Sequence, residues 1–455
     1  MQYIEREKEE SYIRHSLEAE NASLIVVRGR RRMGKTTLLG KVLNEKDLYF
    51  EADRTDPSLQ ILSLARTIST VFPAFNETEF SDWKSLFFAL NRCVSERITL
   101  CLDNFHYLVE GSPSILSVVR ELFESETDRP KFHLVLCGSS QQQMYKLSHD
   151  PNSPLFGKTD ADIEIRAFPA YSLQEALCVD AQSSIEHYAV WGGVPRYWRL
   201  AETTVALKDA VWDHILTETG VLYEEPARIL REDMKDIVKA ESILTAVGNG
   251  ASRLSEIASR LGEPATNLSR PLAKIIDLGY LERDIPFGDT EKNSKKSRYR
   301  IADPFLLFYY KLVVPNRSFI AQKRDVPVLK AFVGTFPVLV GYWWEHLCRE
   351  AVSENEIDGI RFAVARRWEE LDVVAESHDH KTLLIGVCRW TERVNGRLLM
   401  EKMQSIAKYL PFVGRKKVLF KLFTKESPAE DPGNALLPDD VLALLREKNA
   451  GQAVL

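Results

Sequence analysis

From residue 24 to about 170, short apolar runs alternate with segments whose apolar positions recur every three or four residues. The runs at 24–28, 47–51, 98–103, 132–137 and 162–166 predict strands, and the segments at 35–44, 57–72, 83–96, 114–124 and 140–147 predict helices. Strands and helices taking turns in this way predict an α/β fold, an open and mostly parallel sheet covered on both faces. Beyond 172 the pattern is helical only as far as about 245, with Gly192-Gly193-Val194-Pro195 as its break.

A different signature covers 234–301. Helical spacing at 234–247, 254–261 and 265–278 is followed by Gly279-Tyr280-Leu281-Glu282-Arg283 and a polar hairpin ending in Arg298-Tyr299-Arg300-Ile301. Three helices and a hairpin predict a winged helix-turn-helix, whose third helix would be offered to a DNA major groove. Pro271 predicts a bend in that helix. From about 330 a last α/β unit is expected, with helices at 340–352, 398–409 and 438–447 and strands at 367–375, 382–389 and 417–422.

Chemistry enters at residues 29–36, Gly29-Arg30-Arg31-Arg32-Met33-Gly34-Lys35-Thr36. This is a complete Gly-x-x-x-x-Gly-Lys-Thr phosphate loop, set between the apolar run 24–27 and a helical segment, as the motif requires. The two glycines let successive N–H groups point at phosphate oxygens, and the helix N-terminus adds partial positive charge. Lys35 is expected to reach the β- and γ-phosphates of ATP, and the Thr36 hydroxyl to hold Mg²⁺. Asp103 ends the third apolar run and suits the carboxylate that supports the metal from a strand next to the loop.

Asn104 follows, where a general base would orient and deprotonate the attacking water. An amide holds a water but takes no proton at neutral pH. Slow hydrolysis is therefore expected unless Glu51, Asp53 or His106 substitutes, with Glu51 the first choice. Ser139, in Gly138-Ser139-Ser140 after the fourth run, could sense the γ-phosphate or simply end a strand.

Composition narrows the setting. A length of 455 residues, with 45% hydrophobic and 27% charged, suits about three globular domains. The net charge of −5 argues against a wholly cationic nucleic-acid coat. Six scattered cysteines form no Cys-x-x-Cys pair, so free thiols in a reducing cytoplasm are expected. The charged N-terminus does not read as a signal peptide, and Gly334 and Pro337 interrupt the apolar run 331–344, so no membrane association is expected.

Taken in order, the phosphate loop with Thr37, Leu102-Asp103-Asn104-Phe105, Gly138-Ser139-Ser140 and Gly192-Gly193-Val194-Pro195-Arg196-Tyr197 resemble the prokaryotic archaeal-type ATPases, a branch of the AAA+/STAND P-loop group. The resemblance implies a P-loop NTPase sheet with a helical lid, Pro195 near the adenine and Arg196 approaching the phosphates. That family usually carries Asp-Glu-Phe-Gln where this chain has Asp103-Asn104-Phe105-His106. The segments around 299–305, Trp344-Glu345 and Leu371–Ala375 resemble the fused C-terminal domain of uncharacterised function, which is similar to the restriction-endonuclease fold. Glu345 and Asp372 match two nuclease carboxylates, whereas the Glu-x-Lys positions hold Val387-Cys388-Arg389 and imply loss of cleavage. The expected organisation is a P-loop core at 1–171, a lid at 172–232, a winged helix at 233–313 and a nuclease-like domain at 330–455.

Lys292, Lys295, Lys296, Arg298 and Arg300 cluster on the wing, either as DNA phosphate contacts or as a solvated loop on a packing domain. The leading expectation is an ATP-dependent switch with slow hydrolysis, acting on DNA, a protein partner or copies of itself. Two others stand beside it: an ATP-coupled DNA-processing nuclease, and a DNA-binding regulator in which ATP is structural.

Overall fold

The computed structural model describes residues 6–125, 130–202, 206–234, 236–290, 294, 296–430 and 433–451. Its contacts gather into two compact units, Glu5–Ala167 and, in the main, Phe168–Leu455.

In the first unit, α1 (Glu7–Leu17) precedes β1 (Leu24–Arg28), α2 (Lys35–Val42), β2 (Leu48–Glu51), α3 (Pro57–Ser69) and α4 (Trp83–Cys93). Then come β3 (Thr99–Asp103), α5 (Phe105–Gly111), α6 (Ile115–Glu124), β4 (His133–Gly138), α7 (Gln141–His149) and β5 (Ala161–Glu164). The five strands form one sheet in the order β2-β3-β4-β1-β5, and every pairing is parallel. Strands buried on both sides read as continuous apolar runs, which is why Leu24–Val27 and Leu134–Cys137 lack alternation. One large core lies between the sheet and the helices that supply Ile61, Leu64, Leu86, Phe87, Phe105 and Val119. Three described elements fall outside the predicted helices: α1, a short 3₁₀ turn at Pro73–Glu77, and the short α5 directly after Asn104.

Asp103 ends β3, which β4 separates from β1, and its carboxylate still stands next to the phosphate loop, 3.1 Å from Thr36 Oγ1. Local sequence carries no strand order, because that is decided by which crossovers bury both sheet faces.

The second unit begins with α8 (Ser172–Leu177), α9 (Ala181–Trp191), α10 (Pro195–Ala201), α11 (Leu207–His214) and α12 (Glu225–Asp233). It continues through α13 (Ile237–Gly248), α14 (Leu254–Leu261), α15 (Ala265–Asp277) and the antiparallel hairpin β6 (Leu281–Asp284) and β7 (Arg298–Ile301). Next are α16 (Pro304–Phe308), a π-helical turn (Tyr309–Val313), α17 (Val314–Ala321) and α18 (Asp325–Val352). A small hairpin, β8 (Glu356–Ile357) and β9 (Ile360–Arg361), leads to β10 (Arg366–Trp368), β11 (Leu371–Glu376) and β12 (Thr382–Arg389). The chain ends with α19 (Gly396–Ala407), β13 (Lys417–Thr424), β14 (Ala435–Leu436) and α20 (Pro438–Gly451). The C-terminal sheet runs β10-β11-β12-β13-β14, antiparallel up to β12 and parallel thereafter.

Proline ends neither of two helices in this unit. The helix α15 is continuous through Pro271, and α18 is continuous through both Gly334 and Pro337. Burial of Leu268, Leu272 and Ile275 on one helix, and of Phe332, Leu339, Trp343 and Trp344 on the other, holds each continuous despite the lost backbone bond. Where a helix was expected only over 340–352, α18 thus spans 28 residues. By length and a mean hydropathy of 1.4 it could cross a membrane, but in this fold it packs against α9, α17, α20, β11 and β12.

Candidate nucleotide site

Parallel register brings the site together. Glu51 pairs with Asp103, Leu102 with Leu136, and Arg28 with Gly138, so β2, β3, β4 and β1 finish at one edge of the sheet. Open parallel sheets bind ligands at that carboxyl edge. Side by side there stand the phosphate loop after β1, Ser139 after β4, and Asp103-Asn104 after β3.

The loop's two glycines are needed for different reasons. Gly34, the residue before α2, has φ +89°, left-handed backbone that a side chain disfavours, although open space surrounds its Cα. A Cβ on Gly29 would instead run into the carbonyl oxygen of Ile165 just beyond β5. Arg32 is also left-handed, at φ +67°. Met33 is buried, and Arg31, Thr36 and Thr37 are exposed.

The Lys35 ammonium donates to the carbonyls of Gly29 (2.7 Å) and Arg30 (3.0 Å) and so lies folded along its own loop. One residue of the clamp carries no sequence signal. Buried Arg6 donates from Nη2 to the carbonyls of Met33 (2.9 Å) and Arg166 (2.8 Å), tying the loop to the chain beyond β5.

Asp103 is the centre of the polar network. Its Oδ2 accepts from Thr36 Oγ1 at 3.1 Å and from the Tyr49 hydroxyl at 2.5 Å, and its Oδ1 accepts from the Asn104 amide at 2.8 Å. Burial alone would raise the pKa of this carboxyl. Hydrogen bonds from Tyr49, Cys137 and the Asn104 backbone, with the nearby Lys35 charge, outweigh burial and hold it below the usual carboxylate range. Asp103 is therefore ionised at neutral pH. The same contact, after burial, raises the Tyr49 pKa and keeps that phenol a donor. Tyr49 escaped notice in the sequence because a tyrosine alternating with Leu48 and Phe50 reads as an ordinary strand residue.

Thr36 and ionised Asp103 make a paired-oxygen donor set suited to a hard divalent cation, which takes hydroxyl, carboxylate and water oxygens. Asn104 sits in left-handed backbone at φ 55°, which asparagine tolerates better than most residues. Its Nδ2 points at Glu51 Oε1 and at the Ala52 carbonyl, both 3.4 Å away. Glu51 is exposed beside Asn104, whereas Asp53 accepts from the Thr55 hydroxyl at 2.6 Å. Ser139 is buried at the end of β4.

His106 is 2% exposed, and neither ring nitrogen has a hydrogen-bond partner among the described residues. Burial lowers its pKa to about 4, helped by Arg54 and Lys35 and opposed by Glu110 and Asp103. A neutral imidazole of such low basicity is a poor proton acceptor. A Cβ on Gly138 would come within 3.0 Å of its Nδ1, so glycine makes room for the ring.

In the second unit, Pro195 opens α10 and Arg196 is exposed. Trp198 Nε1 donates to the Gly192 carbonyl at 2.7 Å, and the Phe168 amide donates to that of Gly193 at 2.9 Å. The double-glycine break is thus a fixed turn, and Gly192 adopts φ +58° within it.

The nuclease-like positions are differently occupied. Asp372 Oδ2 accepts from the Cys388 amide (2.8 Å) and from Arg389 Nη1 (3.2 Å). Burial and then Asp372 push the Glu345 pKa up to about 7, against the pull of Arg349 and Arg389. Val387 is buried in the sheet. Among the described residues no three His, Cys, Asp or Glu side chains are grouped to hold a metal.

The wing needs correction. Lys292 and Lys295 lie outside the described residues. Arg300 does not face solvent: its Nε stands 2.7 Å from Glu282 Oε1, and its Nη2 donates to His346 Nδ1 at 2.9 Å. Lys296 lies over the Trp368 ring, 5.1 Å from its centre. Arg298 alone of the described wing cations is exposed without such a contact.

A phosphate loop on the carboxyl edge of a five-stranded parallel sheet, beside an ionised strand-end aspartate, defines a P-loop nucleotide-binding domain. Residues 3–197 are an archaeal-type ATPase domain, matching the family described as an ATPase domain predominantly from Archaea. Residues 309–404 match a family of archaeal and bacterial proteins of unknown function. An uncharacterized protein of Methanocaldococcus jannaschii is 26% identical over 404 residues, covering 86% of this chain and 88% of its own. The Walker-type ATPase PABY2304 of Pyrococcus abyssi superposes with a TM-score of 0.49 at 20% identity, over 68% of this chain and 96% of its own. For the ORC2 protein of Aeropyrum pernix the TM-score is 0.44 at 13% identity, over 71% and 97%.

His106 supplies a pH test. Its folded pKa of about 4 lies below the ordinary 6.5, so the unfolded chain binds this proton first. The stability held by the neutral ring is complete above pH 6.5 and is lost as pH falls towards 4, at most about 3 kcal/mol. His106→Gln is expected to flatten the fall in melting temperature over that interval relative to the parent chain. Parallel curves would show that the ring titrates normally.

Proposed function

We propose that the chain is a Mg·ATP-dependent switch with slow turnover. The observation carrying this reading is the Thr36–Asp103–Tyr49 network closed over the phosphate loop, with Asn104 in the next position. The N–H groups at the start of α2 and the Lys35 ammonium would take the β- and γ-phosphates, and Thr36 with Asp103 would hold Mg²⁺. Bound Mg²⁺ supplies neutralisation of the charge that builds on the phosphate oxygens.

Asn104 can orient a water but not deprotonate it, and general-base help is worth roughly 10²–10⁴-fold in rate. Glu51, whose Oε1 lies 3.4 Å from Asn104 Nδ2, is the first choice to take that proton. With slow hydrolysis the ATP state persists, as a switch requires. Pro195 and Arg196 would report nucleotide state to the helical lid. Ser139, between the two loop segments, would sense the terminal phosphate.

A second reading, DNA association, has its own support. The helix α15 buries Leu268, Leu272 and Ile275 while exposing Asn267, Ser269 and Arg270, so a polar face is open to a groove. With Arg300 turned inwards, contact would come from that helix more than from the wing. For nuclease action nothing comparable speaks, because Arg389 already occupies Asp372.

Three outcomes test these readings. Lys35→Ala should abolish ATP binding in calorimetry, and equal affinity in parent and variant sinks the phosphate-loop assignment. Asn104→Glu should raise phosphate release by on the order of tenfold or more; no gain places the base elsewhere. Duplex DNA should retard the chain in a gel at low salt, more so with slowly hydrolysed ATP, and Arg270→Glu should weaken the shift. A shift untouched by Arg270→Glu removes α15 from the interface.

A further inference from the structure

Within the second unit, a cavity of about 280 Å³ opens among β6, β7, α18, β10 and α20. Five cationic side chains line it, one from each of those elements: Arg283, Arg300, Arg349, Arg366 and Lys448. Two carboxylates, Asp284 and Glu350, share the wall. Asp284 is already paired with Arg367 at 2.5 Å. Burial pushes the Glu350 pKa up, against the pull of Lys448 and Arg300. With Glu282 beside Arg300, Glu345 beside Arg349 and Arg367 beside Asp284 counted in, six cations meet four carboxylates and the wall keeps an excess of positive charge.

His346 adds to this. Arg300 Nη2 can only donate, so the His346 Nδ1 it meets at 2.9 Å is the acceptor and the ring proton sits on Nε2. Burial first, then Arg300, Arg349 and Lys448, hold this imidazole's pKa well below its ordinary value. The lining thus combines guanidinium, ammonium and imidazole N–H donors arriving from several directions. A lining dominated by cationic donors, with net positive charge, matches a ligand whose oxygens only accept.

We propose that this cavity binds a small phosphorylated molecule carrying at least two negative charges. A planar carboxylate is satisfied by one guanidinium, whereas a tetrahedral phosphate uses donors converging from hairpin, helix and sheet together. The volume lies at the lower end of small-molecule sites, which fits a sugar phosphate or mononucleotide and excludes a duplex. Bound there, the ligand would bridge the β6–β7 hairpin to α18 and α20. The proposal does not depend on the nucleotide reading of the first unit.

The test uses the full chain carrying Lys35→Ala, so that the phosphate loop contributes little, with inorganic phosphate and 5′-AMP as probes in calorimetry at low salt. Saturable binding of one equivalent is expected, tighter for 5′-AMP if the natural ligand is an organic phosphate and equal or tighter for inorganic phosphate if it is the free ion. Adding Arg366→Gln and Lys448→Gln, both at partly exposed positions, should weaken it at least tenfold while the ligand-free melting temperature stays near that of the parent. If the pair of substitutions destabilises the fold, Arg366→Gln alone should still weaken binding severalfold. No saturable heat with either probe at concentrations on the order of 10 mM overturns the proposal. Affinity unchanged by the substitutions overturns it equally.

Discussion

The ionised carboxylate of Asp103, buried at the end of β3, is the group on which the nucleotide site depends. A buried charge is tolerated only where hydrogen bonds and opposite charge replace the water it has lost. Here a phenol, a threonine hydroxyl, a thiol and a backbone amide do so, with a lysine nearby. Each donor comes from a separate segment: Tyr49 from β2, Thr36 from α2, Cys137 from β4. Only a parallel sheet with aligned carboxyl ends can bring those segments to one carboxylate. Fold and chemistry are the same constraint seen at two scales.

That constraint explains which parts of the site could be read directly from the chain. Gly29, Gly34, Lys35 and Thr36 are legible because their spacing is local, and the loop's geometry is fixed within eight residues. Asp103 is legible because an acidic residue closing an apolar run is unusual. Tyr49 and Arg6 are not, since each acts on a partner far away in sequence. Tyr49 meets Asp103 across 54 positions and Arg6 meets Arg166 across 160. Nothing in their neighbours marks either one. The strand order fails to show for the same reason, as it records how crossovers pack rather than what any strand contains.

Packing outweighs the local effect of proline in two helices, and in α18 it extends the helix beyond the expected 340–352. Pro271 and Pro337 each remove a backbone hydrogen bond, a local cost of about 3 kcal/mol. Several large apolar side chains buried on the same helix contribute roughly 1.5–3 kcal/mol each and offset that cost. In α18 the pair Trp343 and Trp344 is fully buried, with Trp344 Nε1 donating to the Phe423 carbonyl at 3.1 Å. Tertiary burial decided the element, and the breaker was absorbed.

Charge counts mislead in a related way. The cations of the β6–β7 hairpin form a sequence cluster that suggests a phosphate-binding wing, yet exposure falls along β7 from its first residue, Arg298, to buried Ile301. Arg298 stays in solvent while Arg300 enters the fold and meets Glu282 and His346. Once inside, Arg300 stands with Arg349 and Lys448, which are remote in sequence and share no motif. Positive potential has been moved from an open surface, where salt screens it, to a recess where screening is weak. A recess of that kind favours a compact anion over a polymer. The hairpin that reads as nucleic-acid-binding in one dimension becomes, in three, one wall of a small-molecule site.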